Sequence, residues 1–463
     1  MNNEVMSLLE KKFDHYAAEL KRLVDIRSVR EDAACAHPFG DGCARVLDEA
    51  GEIAAIHGFK MHNLDYYAGE IDLGDDPSVM ILAHLDVVPE GDGWTRKPYD
   101  MTIEGDLLYG RGTIDDKGAA LAALYALDAV KEVLGTPKGG VRLVLGCGEE
   151  TGSEDMEYYF RHRQALKYTF TPDASYPLIN IEKGRYSPTF KKYIPKSDKC
   201  IKVLDILGGT TANIVPGTAS ARIKGANKDT VVSLCKEVSD KTSVHFTVNE
   251  DDGIISVIAK GQTAHASTPD HGNNAHTALI LVLGNLDTDL KEDLDFLART
   301  FPHGESDGAS LGVKMSDEIS GALTLNFGIL SFNDQILTVN FDMRCPICAD
   351  DGRVRDITEN VMLQHGFESD MTCPSRAHAV DAESEPVQKA LDIYEEFTGK
   401  RGTPMAIGGG TYVHDIPGGI AFGVEFPGRD YHMHGADEYA SVSEMLLTAK
   451  MYAQLIIDLC YLT

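Results

Sequence analysis

The stretch V-M-I-L-A-H-L-D, residues 79–86, is an apolar run that ends on an imidazole and a carboxylate, His84 and Asp86. Two later runs end in acids as well. Residues 141–145 are followed by Gly146, Cys147, Gly148, Glu149 and Glu150, and residues 168–171 by Pro172 and Asp173. A short, nearly unbroken apolar run bounded by turn residues predicts a strand buried on both faces, as in parallel sheets covered by helices. Ligands of such sheets gather beyond the carboxyl ends of the strands. The expected fold is therefore α/β, with a mostly parallel, helix-flanked sheet, and His84, Asp86, Glu149, Glu150 and Asp173 should face one crevice.

Working outward, G-R-G-T-I-D-D-K-G (110–118) lies between the first two runs and precedes an Ala- and Leu-rich segment, 119–130, that favours a helix. Asp115 and Asp116 then sit on the turn entering it. Near the C-terminus, H-G-A-D-E (434–438) follows the apolar run 420–426 and supplies His434 and Glu438. Imidazoles and several carboxylates crowded together repel one another unless a cation neutralises them. A divalent metal suits that donor set, and a pair of metals can share one carboxylate and one water, giving an activated hydroxide near neutral pH. In a chain with 72 acidic residues most are solvated. The agreement of three strand ends carries the reading, since no single acid does.

H-L-D-V-V-P (84–89), Y-G-R-G-T-I-D-D-K-G (109–118), G-E-E-T-G-S (148–153), T-P-D-A (171–174) and H-G-A-D-E (434–438) resemble, in order along the chain, the metallopeptidases that include aminoacylase, carnosinase and succinyl-diaminopimelate desuccinylase. Within that group the chain is most similar to the PepV and Sapep type of bacterial dipeptidase. The resemblance implies two divalent ions, zinc being expected and manganese or cobalt the alternatives. His84, Asp115 and Asp173 would hold one, and Asp115, Glu150 and His434 the other, with Asp115 as the bridge. It also implies a cis peptide after Asp115. Asp86 would take the second N–H of the His84 imidazole and fix its tautomer. Glu149, beside a ligand but not one itself, would be the general base that takes a proton from the bridging water and passes it to the leaving amine.

At 463 residues the chain exceeds a single core. The resemblance implies an inserted α+β lid at 184–385, between catalytic segments 1–183 and 386–463. Its length resembles that of monomeric dipeptidases, so a monomer is expected. Within it G-Q-T-A-H-A-S-T-P (261–269) follows the apolar strand 254–259 and matches the lid histidine at His265, an expected donor to the oxyanion. Asn213 and Arg344 are the other expected substrate contacts there, Arg344 following the alternating strand 336–341 and able to fork onto a carboxylate. Gly409, Gly410 and Thr411 lie in a glycine loop whose bare N–H groups could meet a carboxylate. Relatives commonly carry an Arg two places after G-G-T-Y, where this chain has Val413 and His414.

The net charge of -29 argues against nucleic acid, which needs clustered Lys and Arg. No apolar run reaches the roughly 18 residues that span a bilayer. The first segment has an amphipathic pattern (Leu9, Phe13, Tyr16, Leu20, Leu23) that predicts a helix rather than a signal peptide. Nine cysteines, an odd number, fit reduced thiols, so a soluble cytoplasmic enzyme acting on small peptides is expected. Cys345 and Cys348 form a lone C-x-x-C, and Cys147 reads as a packed residue. Helices are expected over 361–365, 387–397 and 441–462, the last with a capping box of Ser441 and Glu444. The function expected is dipeptide hydrolysis. Release of an acyl group by a deacylase or desuccinylase with the same metals is one alternative. A noncatalytic binding protein on the same fold is another, opposed by the acids or His that remain at all six expected metal-site positions.

Overall fold

The run at 79–83 is the middle of the strand Pro77–His84, and every residue of it is fully buried. Side chains alternate across the sheet. Val79, Ile81 and Ala83 pack into the main core with the helix Lys117–Leu134, while Met80 and Leu82 pack on the other face against Met156 and Tyr159 of the helix Glu154–His162. Burial on both faces is why the run shows no polar alternation. The computed structural model describes residues 1–32, 37–137 and 139–461.

These residues divide into two units. The first comprises Met1–Ile181, Ala379–Met405 and Gly410–Thr463, and the second Glu182–His378 and Ala406–Gly409. In the first unit the sheet runs in the order Met61–Leu64, Ala68–Leu73, Gly140–Gly146, Pro77–His84, Tyr168–Thr171, Ile420–Ala421, Ile179–Glu182. The four strands from Gly140–Gly146 to Ile420–Ala421 are parallel, and the strands flanking them pair antiparallel. The run 420–426 contributes only the two-residue strand Ile420–Ala421.

Lys117–Leu134 is buried over most of its length and packs beside the C-terminal helix Val442–Cys460. Truncating one of its buried leucines, such as Leu127, would cost about 2–5 kcal/mol. Gly118, in its first turn, has no room for a side chain, because a Cβ there would lie 2.1 Å from the Thr113 carbonyl oxygen. Gly135, at φ +73°, ends the helix. At the N-terminus the amphipathic segment forms two helices, Asn3–Lys12 and Tyr16–Val24, joined by one 3-10 turn, with Leu9, Phe13, Tyr16, Leu20 and Leu23 all buried.

The capping box forms only in part. Ser441 Oγ accepts the Glu444 N–H at 3.3 Å, but the Glu444 carboxylate turns to Tyr431 and Arg429. Leu462, the last residue of that expected helix, lies outside the described residues. The segments 361–365 and 387–397 fall at or within the ends of longer helices, Asp351–Gln364 and Glu385–Thr398.

The second unit is built on an antiparallel sheet ordered His245–Asp251, Ile254–Lys260, Thr218–Lys224, Lys202–Gly208, Thr324–Asn333, Ile336–Cys345, Thr189–Tyr193, with Gly184–Tyr186 also paired to Ile336–Cys345. Alternate residues of two strands, Ala219, Ala221, Ile223, Ile255, Val257 and Ala259, pack with Val231, Cys235 and Val238 of the helix Lys228–Thr242 and with the helix Ala275–Gly284. Cysteines 43, 147, 200, 235, 345, 348, 373 and 460 are free thiols, and Cys35 lies outside the described residues. Among the described residues no helix is long and apolar enough to cross a membrane.

Candidate metal centre

The register of the parallel strands sets His84 opposite Gly146, so the loops leaving Pro77–His84, Gly140–Gly146 and Tyr168–Thr171 emerge at one end of the sheet. His84 is fully buried, and its backbone N–H donates to Asp116 at 3.1 Å. Its Nδ1 lies 3.0 Å from the backbone carbonyl oxygen of Asp86 and 3.4 Å from the Asp86 carboxylate. Asp86 thus faces this nitrogen as expected, its main-chain oxygen lying closer than its carboxylate. Nε2 is left to face Asp115 Oδ1 at 3.0 Å and Asp173 Oδ2 at 3.7 Å.

Asp115 has a second imidazole on its other oxygen. His434 Nε2 lies 2.7 Å from Asp115 Oδ2 and 3.4 Å from Glu150 Oε1. Two groups of three potential ligands result, His84–Asp115–Asp173 and Asp115–Glu150–His434, the ligand atoms of each within 4.8 Å of one another. Asp115 belongs to both, and the peptide joining it to Asp116 is cis.

The electrostatics of this cluster show a deficit of positive charge. Burial, followed by repulsion from Asp173, raises the Glu149 carboxyl well above the usual range. Burial and the Asp115 charge likewise raise Glu150 and Asp173. Asp115 goes the other way: burial would raise it, but His434 and His84 hold it far below the usual range. Burial opposes charge on His434, yet Asp115 and Glu150 raise its imidazole to about 11. His84 Nε2, although buried and beside two carboxylates, makes no hydrogen bond among the described residues. A buried imidazole nitrogen without a hydrogen bond, with carboxylate oxygens converging on it, is a place a divalent cation would satisfy. The residues therefore fit metal ions.

The Glu149–Glu150 loop is held through its backbone. The Asp86 carboxylate accepts the N–H groups of Glu149 and Glu150 at 3.3 and 3.1 Å, and the buried Asp155 accepts those of Cys147 and Gly148, both at 2.7 Å. The turn carrying Asp115 is held by Glu438. That fully buried carboxylate accepts the N–H groups of Gly112, Ile114 and Asp115 and pairs with the buried Arg111 at 2.5 Å. Sequence reading noted Glu438 without a role and missed Arg111 and Asp155. The available signal was charge inside tight glycine motifs, Arg111 in G-R-G and Asp155 just after G-E-E-T-G-S.

The remaining expected residues divide between the units. In the second, His265 forms an isolated bridge with Ile214, and the Ala266 N–H donates to the Asn213 carbonyl at 2.8 Å, so Asn213 and His265 share one small platform. His265 Nδ1 is 2.7 Å from Ser267 Oγ. Arg344 is 6% exposed, gripped by Asp342, and donates to the Gly408 carbonyl at 2.6 Å. Gly409 groups with the second unit, Gly410 and Thr411 with the first.

Residues 80–458 match peptidase family M20/M25/M40. The Bacillus subtilis (strain 168) protein named "Putative dipeptidase YtjP" is 34% identical over 469 residues, which cover 99% of this chain and 100% of that one. "Putative dipeptidase SAR1836" of Staphylococcus aureus (strain MRSA252) is 30% identical over 96% of this chain and 97% of its own. In fold the chain is similar to human carnosine dipeptidase 1 (TM-score 0.61, 15% identity, 98% of both chains) and to the dipeptidase Dug1p of Saccharomyces cerevisiae (TM-score 0.56, 13% identity, 98% of both). A match spanning most of the sequence, on top of ligand groups that share one aspartate, makes this protein a metallopeptidase of family M20/M25/M40.

Proposed function

We propose that the protein is a dipeptidase that hydrolyses the amide bond of short unblocked peptides. The observation that carries this is the pair of ligand groups meeting at Asp115, next to a half-buried acid, Glu149, that belongs to neither. Relatives of closely matching length named as dipeptidases support the substrate class. Two divalent ions, zinc by preference and manganese or cobalt as alternatives, would neutralise the carboxylates, polarise the scissile carbonyl and make the attacking water acidic.

The protein's own residues do the rest. His84, Asp115 and Asp173 would hold one ion, and Asp115, Glu150 and His434 the other. Asp86 keeps the Glu149–Glu150 backbone in place. Glu149 takes the proton of the attacking water and delivers it to the leaving nitrogen, so the amide breaks without a covalent enzyme intermediate. Burial raises its carboxyl, which makes it a stronger proton acceptor than a solvated carboxylate. His265 is assigned to the developing oxyanion, and Asn213, Arg344, Gly409, Gly410 and Thr411 to the substrate. We assign the second unit the role of a lid and read its length as favouring a monomer. Free thiols at the described cysteines support a reducing, cytoplasmic setting.

Metal analysis combined with a panel of dipeptides, tripeptides and N-acyl amino acids tests the proposal. Turnover confined to dipeptides, with about two ions per chain, is the expected result. Preference for N-acyl amino acids would replace it with a deacylase.

A further inference from the structure

Glu425 follows the strand Ile420–Ala421 past its carboxyl end, and Asp173 follows the neighbouring parallel strand Tyr168–Thr171 past the same end. The two departing segments are laced together. The Phe422 N–H donates to the Thr171 carbonyl at 2.9 Å, the Val424 and Glu425 N–H groups to the Ala174 carbonyl at 2.8 and 3.1 Å, and the Tyr176 N–H to the Glu425 carbonyl at 2.8 Å. Gly423 makes the approach possible, since a Cβ there would lie 1.8 Å from the Ala174 carbonyl oxygen. The backbone of Glu425 is thus fixed against the Asp173 loop, within the first unit alone.

Glu425 is half-buried, and Ser175 Oγ donates to its Oε2 at 2.5 Å. Among the described residues its Oε1 accepts no hydrogen bond and no cation pairs with the carboxylate. Asp173 and Asp115 repel its charge and His434 acts the other way, which sets it in the field of the ligand cluster. The bond to Ser175 gives no reason for a charge. A glutamine would accept that hydroxyl without the cost of a half-buried anion beside other anions. The neighbouring acids have tasks already: Asp115, Glu150 and Asp173 belong to the ligand groups, and Glu149 is assigned the proton. Glu425 is the acid left without a positive partner.

We propose that Glu425 is a specificity-determining residue that binds the free α-ammonium group of the substrate, so that unblocked peptides are preferred to N-acyl amino acids. This rests on the dipeptidase reading. In a dipeptide the ammonium nitrogen is only about 2.5 Å from the scissile carbonyl carbon. With that carbonyl at the Asp115 cluster, the ammonium group must find its acid beside the cluster, where Glu425 stands. A carboxylate whose backbone and one oxygen are already held loses little freedom on binding. An ammonium–carboxylate hydrogen bond is also about twice as strong as a neutral one. An acyl group brings no charge to that place and leaves the acid desolvated and unpaired.

The test uses alanyl-alanine as substrate and propionyl-alanine, the same molecule with hydrogen in place of the ammonium group, as competitive inhibitor. Wild type is compared with Glu425→Gln, which keeps an acceptor for Ser175, and with Glu425→Asp. Glu425→Gln should raise KM for alanyl-alanine about 10-fold or more with kcat within about 3-fold, while Ki for propionyl-alanine changes less than about 2-fold. Bound metal, measured by plasma emission, should stay at the wild-type content. Glu425→Asp, which keeps the charge but draws it back by one methylene, should fall between. If thermal melts show that the glutamine variant does not fold, the aspartate variant decides, with KM expected to rise at least about 3-fold at unchanged Ki. An unmoved KM, equal losses for the two compounds, or a loss of metal overturns the proposal. A wild type inactive on every dipeptide removes the parent reading and this one together, whereas an active wild type with an unaffected Glu425→Gln variant removes only this one.

Discussion

The Tyr412 hydroxyl donates to the carboxylate of Asp155, and that carboxylate holds the backbone N–H groups of Cys147 and Gly148. A residue of the glycine-rich loop thus braces the segment that presents Glu149 and Glu150. Gly146 is needed for the contact, since a Cβ there would lie 2.1 Å from the Tyr412 hydroxyl. Tyr412→Phe leaves Asp155 short of one buried donor, a loss of about 1–3 kcal/mol. Steady-state kinetics should show kcat reduced about 10-fold with KM nearly constant. Unchanged kcat would mean that the loop needs no such brace.

Removing the base and removing a ligand should look different. Glu149→Gln is expected to lower kcat by about 100- to 10,000-fold while metal content, measured by plasma emission, stays at the wild-type level. Asp115→Asn should lose metal along with activity, because this carboxylate belongs to both ligand groups. A chelator should abolish wild-type turnover, and added zinc or manganese should restore it.

Glu438 and Arg111 form a fully buried ion pair behind the Asp115 turn. Breaking it by Arg111→Met strands a buried carboxylate that still accepts three backbone N–H groups, at a cost of about 3–5 kcal/mol. Chemical denaturation should show that loss. Arg111→Met combined with Glu438→Gln should lose less than the sum of the single changes, because the stranded charge is gone.

Far from the metal ligands, His57 sits between Asp128 at 2.6 Å and Glu19 at 3.0 Å, with Lys12 also on Asp128. Burial would lower the imidazole, but Asp128 and Glu19 raise it to about 9. A folded value above the unfolded one means that the stabilisation is complete below about pH 6.5 and is lost as pH rises towards 9. Discounted for partial exposure, it should amount to about 1–2 kcal/mol. Denaturation midpoints measured from pH 6 to 9.5 should fall in wild type and flatten in His57→Gln. Parallel profiles would show that His57 carries no such linkage.

Much of the first unit was legible in the sequence because its signals are local. An apolar run buried on both faces, such as 79–83, reads as a parallel strand wherever it occurs, and acids just past three such runs point to one end of one sheet. The placement of His84, Glu149, Glu150 and Asp173 just past those runs was legible in the chain, whereas the preference for Asp115 over Asp116 came from the resemblance to relatives. Tertiary structure decided which backbone groups hold them. Asp86 proved to bind the imidazole mainly through its own carbonyl and to use its carboxylate on Glu149 and Glu150, a choice set by how a loop turns after a strand ends. Asp155 with Tyr412, Arg111 with Glu438, and Ser175 with Glu425 pair residues far apart in sequence. Such pairs leave no periodicity to read, because a buried charge is fixed by partners brought to it only when the chain has folded.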